Sequence, residues 1–140
     1  MKPTSVAPVT SLRVIVADDH ALYRESIVRT LRAAGETVVA EGADGASALA
    51  LIRQHLPDVA LVDLRMPGLD GIDVVAALAR DGPGVPVVLL SAFDDEPLIR
   101  AGLQAGAAAY VTKDADREVI LSAVRGAVDP ACPPHGRTTQ

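Results

Sequence analysis

Five short apolar runs, separated by stretches with helical periodicity, constrain this chain more than any other feature. Residues 12–17, 37–40, 58–62, 85–90 and 107–111 are rich in Val, Leu and Ala, and each is too short for a helix packed on its own. The segments between them repeat at helical spacing. Residues 20–34 carry Tyr23, Ile27, Thr30, Leu31 and Ala34 on one side, and Gly35 closes the turn. Asp44 caps a helix bearing Ala48, Leu49 and Ile52, which stops before Pro57. Asp70 and Gly71 open a third, with Ile72, Val75, Ala76 and Ala79 on one face, broken by DGPG. Asp94 or Asp95 caps a fourth, with Pro97 in its first turn. A last helix runs from about Asp114 to Val128, with Ile120, Ala123, Val124 and Ala127 inward. This (βα)5 alternation predicts an α/β fold: one parallel sheet, helices on both faces and right-handed crossovers. The run at 85–90 is the most hydrophobic and reads as the central strand.

Polar residues stand where these runs end. Asp18 and Asp19 follow LRVIVA, Asp63 follows VALV, Ser91 follows VPVVLL and Lys113 follows AAAYVT. Strand C-termini of a parallel sheet share one edge, so these residues converge on one pocket. If the strand order is 2-1-3-4-5, the winding reverses between the first and third strands, and ligands bind at such a point. Asp18, Asp19 and Asp63 flank it. Singly, each has a plainer reading: the Asp pair as a helix cap, Asp63 as a turn residue, Ser91 as a loop hydroxyl, Lys113 as a solvated charge. Their joint placement at strand ends carries the functional reading. His20 reads first as a solvent-facing residue of the opening helical turn and second as a possible ligand.

Composition excludes several classes. The 140 residues suit one domain over 12–128, with a flexible arm over 1–11 and a linker stub or disordered tail over 129–140. Phe93, Tyr23 and Tyr110 are the only aromatic residues and the net charge is −5, which suits neither nucleic acid nor an anionic membrane. Cys132 is the only cysteine, so no internal disulfide forms and no zinc spacing exists. No run approaches the ~20 apolar residues of a membrane span, and no signal-peptide core is present; the expectation is a soluble cytoplasmic protein.

Clustered carboxylates repel unless a cation offsets them. Hard oxygen ligands in an open, wet site suit Mg²⁺, with Mn²⁺ as a substitute. The Lys113 ammonium and Ser91 hydroxyl match the oxygens of a phosphoryl group. An Asp carboxylate can itself attack phosphorus. In this setting VADDH, LVDLRMPGLDG, VVLLSAF and AAYVTKDA resemble the receiver domain of two-component response regulators, over about residues 12–128. No one motif is specific; the ordered set is.

The resemblance implies a flavodoxin-like three-layer sandwich with sheet order 2-1-3-4-5. It makes Asp63 the phosphoacceptor, taking its phosphoryl group from a sensor histidine kinase. Asp18 and Asp19 would hold Mg²⁺ together with Asp63 and the backbone carbonyl of Arg65. Ser91 would be the switch hydroxyl, Lys113 the phosphate's partner, Tyr110 the switch aromatic, and Met66-Pro67-Gly68 the shaper of the adjoining loop. VADDHALYRESI and VTKDA are most similar to the LuxR/NarL/FixJ-type subgroup, which carries a C-terminal helix-turn-helix. The implied protein is a switch rather than an enzyme, with at most self-phosphotransfer and slow autodephosphorylation. Its 94–128 face would govern homodimerisation or an attached transcriptional output domain. DNA would be bound only through a helix-turn-helix absent from this chain, and no membrane is involved.

Two departures stand out: Asp114 follows the lysine where many relatives have proline, and the chain ends before a helix-turn-helix. The rival reading is a haloacid-dehalogenase-like phosphatase with Asp63 as nucleophile. Such enzymes need a second Asp two positions on, where Arg65 stands. Arg65 and Phe93 would crowd the path of attacking water and slow hydrolysis of an aspartyl phosphate.

Overall fold

The computed structural model describes residues 11–92 and 96–128. The expected caps Asp94 and Asp95, Phe93, the arm before Ser11 and the tail after Val128 lie outside them. The described chain alternates strictly: β1 (Arg13–Ala17), α1 (Ala21–Ala33), β2 (Thr37–Gly42), α2 (Gly45–His55), β3 (Val59–Asp63), α3 (Gly71–Asp81), β4 (Val87–Ser91), α4 (Glu96–Ala105), β5 (Ala109–Thr112) and α5 (Arg117–Val128). All pairings are parallel, in the order β2-β1-β3-β4-β5. The fold is the expected flavodoxin-like sandwich, with the winding reversing between β1 and β3.

β3 is the middle strand of the five, and β4 beside it is an interior strand, as the hydrophobicity of residues 85–90 predicts. Both strands are buried along their full length. Each is paired on both edges and covered on both faces, so hydrophobicity separates interior strands from edge strands but does not rank the interior ones.

Side-chain alternation divides the interior into two cores. Val14, Val16, Val59, Leu61, Val88, Leu90 and Val111 face Ile27, Val28 and Leu31 of α1 and Ile120 and Val124 of α5. Ile15, Ala17, Ala60, Val62, Val87 and Leu89 face Ala48 and Ile52 of α2, Val74, Val75 and Leu78 of α3, and Ile99 of α4. The buried stripe of α3 is only partly the expected one: Val75 is buried and Ile72 packs against this core, but Ala79 is exposed and Val74 and Leu78 are buried beside them.

Two helix starts behave as their sequences predict. Asp44 accepts from the Ser47 N–H at 2.7 Å. Asp70 accepts from the Asp73 N–H at 2.9 Å while Asp73 accepts from the Asp70 N–H at 3.0 Å, a reciprocal box. Gly71 is needed for another reason. A Cβ there would stand 2.5 Å from the carbonyl oxygen of Asp63, so α3 begins against the end of β3 only because the residue is glycine. α5 starts at Arg117, later than expected, and the bond from Lys113 to Asp114 is trans.

Candidate functional site

The strand ends deliver the expected residues to one edge. Asp63 is the last residue of β3 and Ser91 the last of β4. Asp18 follows β1, where its N–H continues the ladder to the Gly42 carbonyl at 3.0 Å. Lys113 follows β5, its N–H bonded to the Ser91 carbonyl at 2.7 Å. By alternation Asp18, Asp63 and Lys113 continue the α1/α5 side of the sheet. Ser91 continues the row of Val87 and Leu89, on the α3/α4 side.

The three residues of the first group meet. Lys113 Nζ donates to Asp63 Oδ2 at 3.0 Å and lies 2.8 Å from Asp18 Oδ2. Asp18, Asp63 and Ser91 are buried, and Asp19 stands at the rim. Burial pushes the Asp63 carboxyl above its ordinary range; the Lys113 hydrogen bond opposes this and the Asp18 charge adds to it. Burial works against the Lys113 ammonium, but its close contacts with the Asp18 and Asp63 carboxylates outweigh it and raise its pKa. Asp63 Oδ1 also accepts from the Arg65 N–H at 3.3 Å. Asp18 Oδ2, though close to Lys113, takes no hydrogen bond of proper geometry.

α1 supplies residues that the sequence reading undervalued. Asp18 and Asp19 do not cap this helix; His20 occupies the N-cap position. His20 is exposed, yet its Nδ1 turns inward, 3.2 Å from Asp18 Oδ1 and 3.2 Å from Lys113 Nζ. Tyr23 lays its ring 5.0 Å from Lys113 Nζ, a cation–π contact. Its hydroxyl is held up to about 12 by burial and then by the charges of Asp18, Asp63 and Asp114. Arg24 braces the pocket from behind: Nη1 donates to the Asp18 carbonyl at 2.6 Å and Nε to Glu41 at 3.2 Å. Tyr110 lies away from this cluster on β5, 42% exposed.

Ligand atoms of Asp18, Asp19, His20 and Asp63 lie within 4.8 Å of one another. A fully buried carboxylate oxygen with no hydrogen bond, beside two further carboxylates, is a donor set that fits a hard divalent cation.

The profile of the response regulator receiver domain matches residues 14–125. The chain belongs to this family. The NarL transcriptional regulator (described as probable) of Mycobacterium tuberculosis is 49% identical over 114 residues, covering 81% of this chain and 53% of that protein. The nitrate/nitrite response regulator NarP of Escherichia coli is 41% identical over 117 residues, covering 83% and 54%. The chain thus spans about half the length of these relatives. Among solved structures, the M. tuberculosis NarL receiver domain superposes with a TM-score of 0.77 at 45% identity, covering 83% of this chain and 98% of that one. A LuxR-family response regulator from Aurantimonas gives 0.78 at 30% identity, covering 85% and 86%. This receiver domain is of the kind found in NarL-type regulators of transcription. No helix among its described residues is long and apolar enough to cross a membrane.

Proposed function

We propose that Asp63 is the phosphoacceptor of this receiver domain. Its carboxylate takes the phosphoryl group from a phosphohistidine of a sensor histidine kinase. An oxygen of Asp63 attacks phosphorus, the P–N bond breaks, and the leaving imidazole takes up a proton. The observation that carries the reading is a buried carboxylate at the switch point, held against a lysine and beside a second buried carboxylate. Asp18 and Asp19, with Asp63 and the Arg65 backbone carbonyl, would hold Mg²⁺ or Mn²⁺. The ion would offset the carboxylates' charge and that of the incoming phosphoryl oxygens.

Lys113 already contacts Asp63 and can follow the new dianion, while Ser91 supplies a hydroxyl donor from the neighbouring strand. Contacts of Lys113 and Ser91 with the phosphoryl oxygens would exist only after transfer, so they would bias the domain toward a second arrangement. Tyr110 would turn inward as Ser91 moves, altering the 94–128 face. That face would then govern pairing with a second copy or the action of an attached DNA-binding domain, as the NarL-type relatives suggest.

Incubation with a small-molecule phosphodonor and Mg²⁺ should label the wild-type chain with one acid-stable, base-labile acyl phosphate. Asp63→Asn should take no label. Equal labelling of that variant at neutral pH would overturn the assignment, and rapid multiple turnover of a phosphate monoester would point to a phosphatase instead.

A further inference from the structure

We propose that His20 is a nitrogen ligand of the divalent-cation site, giving that site a preference for borderline metals that carboxylates alone would not confer. The inference rests on the reading of Asp18, Asp19 and Asp63 as cation ligands, and adds to it a residue that this reading does not use.

The geometry is that of a coordination shell. Around an ion with ligands at ~2.1 Å, adjacent donors stand about 3.0 Å apart and opposed donors about 4.2 Å. His20 Nδ1 lies 3.2 Å from Asp18 Oδ1, 3.4 Å from Asp19 Oδ1 and 3.9 Å from Asp63 Oδ2. All fall within or close to that span. The carboxylate cluster does not stand alone as evidence: Asp18 Oδ2, fully buried in the same pocket, takes no hydrogen bond and is met by the Lys113 ammonium at 2.8 Å, so the spot already draws positive charge.

The backbone that carries the ring is held in place. His20 is the N-cap of α1, its own N–H donates to Asp18 Oδ1 at 2.8 Å, and its carbonyl accepts from the Arg24 N–H at 2.9 Å. No side-chain capping bond competes for the imidazole. Lys113 Nζ, which can only donate, sits 3.2 Å from Nδ1. In the tautomer protonated at Nε2, the Nδ1 lone pair therefore already faces a cation. A divalent ion would engage the same lone pair.

Nitrogen changes selectivity. Imidazole adds little for Mg²⁺, whose preference is for oxygen, and more for Co²⁺, Ni²⁺ or Zn²⁺. The ring is 68% exposed, so its removal leaves the core untouched.

The experiment uses the full chain freed of metal by chelation, with Mg²⁺ and Co²⁺ titrated separately by calorimetry. His20→Ala should lower Co²⁺ affinity about tenfold while Mg²⁺ affinity stays within about twofold. Proton NMR of the Co²⁺-loaded wild type should show hyperfine-shifted imidazole signals that vanish in His20→Ala. Absence of those signals, or equal loss of both metals in the variant, overturns the proposal. Asp18→Asn separates the two readings. If it abolishes Mg²⁺ binding while His20→Ala treats both ions alike, only the role of His20 falls. If the wild type binds neither ion, the cation site falls with it.

Discussion

Asp63 sets two demands against each other. Its burial favours the neutral carboxyl, while acceptance of a phosphoryl group needs the anion. With its pKa raised in the folded state, this residue stabilises the fold most at pH values below the ordinary carboxylate range. That contribution is lost as pH rises through the raised value. Without metal at neutral pH, the charged carboxylate is therefore a burden on the fold. Asp63→Asn in chelator should unfold a few degrees higher than wild type at neutral pH, and the gap should close as pH falls toward about 4. Thermal denaturation followed by circular dichroism across that range checks the sign; a lower midpoint for the variant would mean that the Lys113 ion pair outweighs burial. Asp18, Asp63 and Lys113 were legible in the sequence because a strand end is a one-dimensional landmark that maps onto one edge of a parallel sheet. Tyr23 and Arg24 were not, and His20 entered only as a second, possible ligand. They lie at the start of α1, where spacing tells which face a residue shares but not that the helix enters beside Lys113, whose strand is nearly a hundred residues away along the chain.

Elements were legible in order and kind, less so in their limits. β3 and β4 run to Asp63 and Ser91 themselves instead of stopping before them. Ladder hydrogen bonds persist past the last apolar side chain, as the Lys113 N–H to Ser91 carbonyl bond of 2.7 Å illustrates. The phase of α3 was misread because Ala76, Ala77 and Ala79 spread small apolar residues round the helix and blur its period. The decisive contact of α3 is at its first residue. Gly71→Ala would force the helix start away from the Asp63 carbonyl, costing about 1–3 kcal/mol as an overpacking substitution. If Asp63 is the acceptor, it should also slow phosphodonor labelling in whatever fraction stays folded, since the backbone that carries Asp63 must shift. Chemical denaturation and labelling of the same sample test both halves; wild-type values in both would show that the loop before α3 absorbs the added methyl freely.

At the scale of the whole molecule, the acid pocket and the side chain of Tyr110 lie on different parts of one continuous sheet. Tyr110 and Val119 leave apolar surface open on β5 and α5. If phosphorylation remodels this side for pairing, the phosphodonor with Mg²⁺ should raise the sedimentation coefficient of wild type toward that of a dimer and leave Asp63→Asn a monomer. A monomer in both would place the output in an attached domain instead. The assignment of Ser91 to one side of the sheet and of Asp63 and Lys113 to the other has a mechanical meaning. The two cores share no side chains; only the strands lie between them. A group gripped at once by the serine hydroxyl and by the aspartate and lysine would act as a rivet through that plate, so that strain on the α3/α4 layer is felt by the α1/α5 layer. Their coupling would then be switched on by chemistry at a single edge.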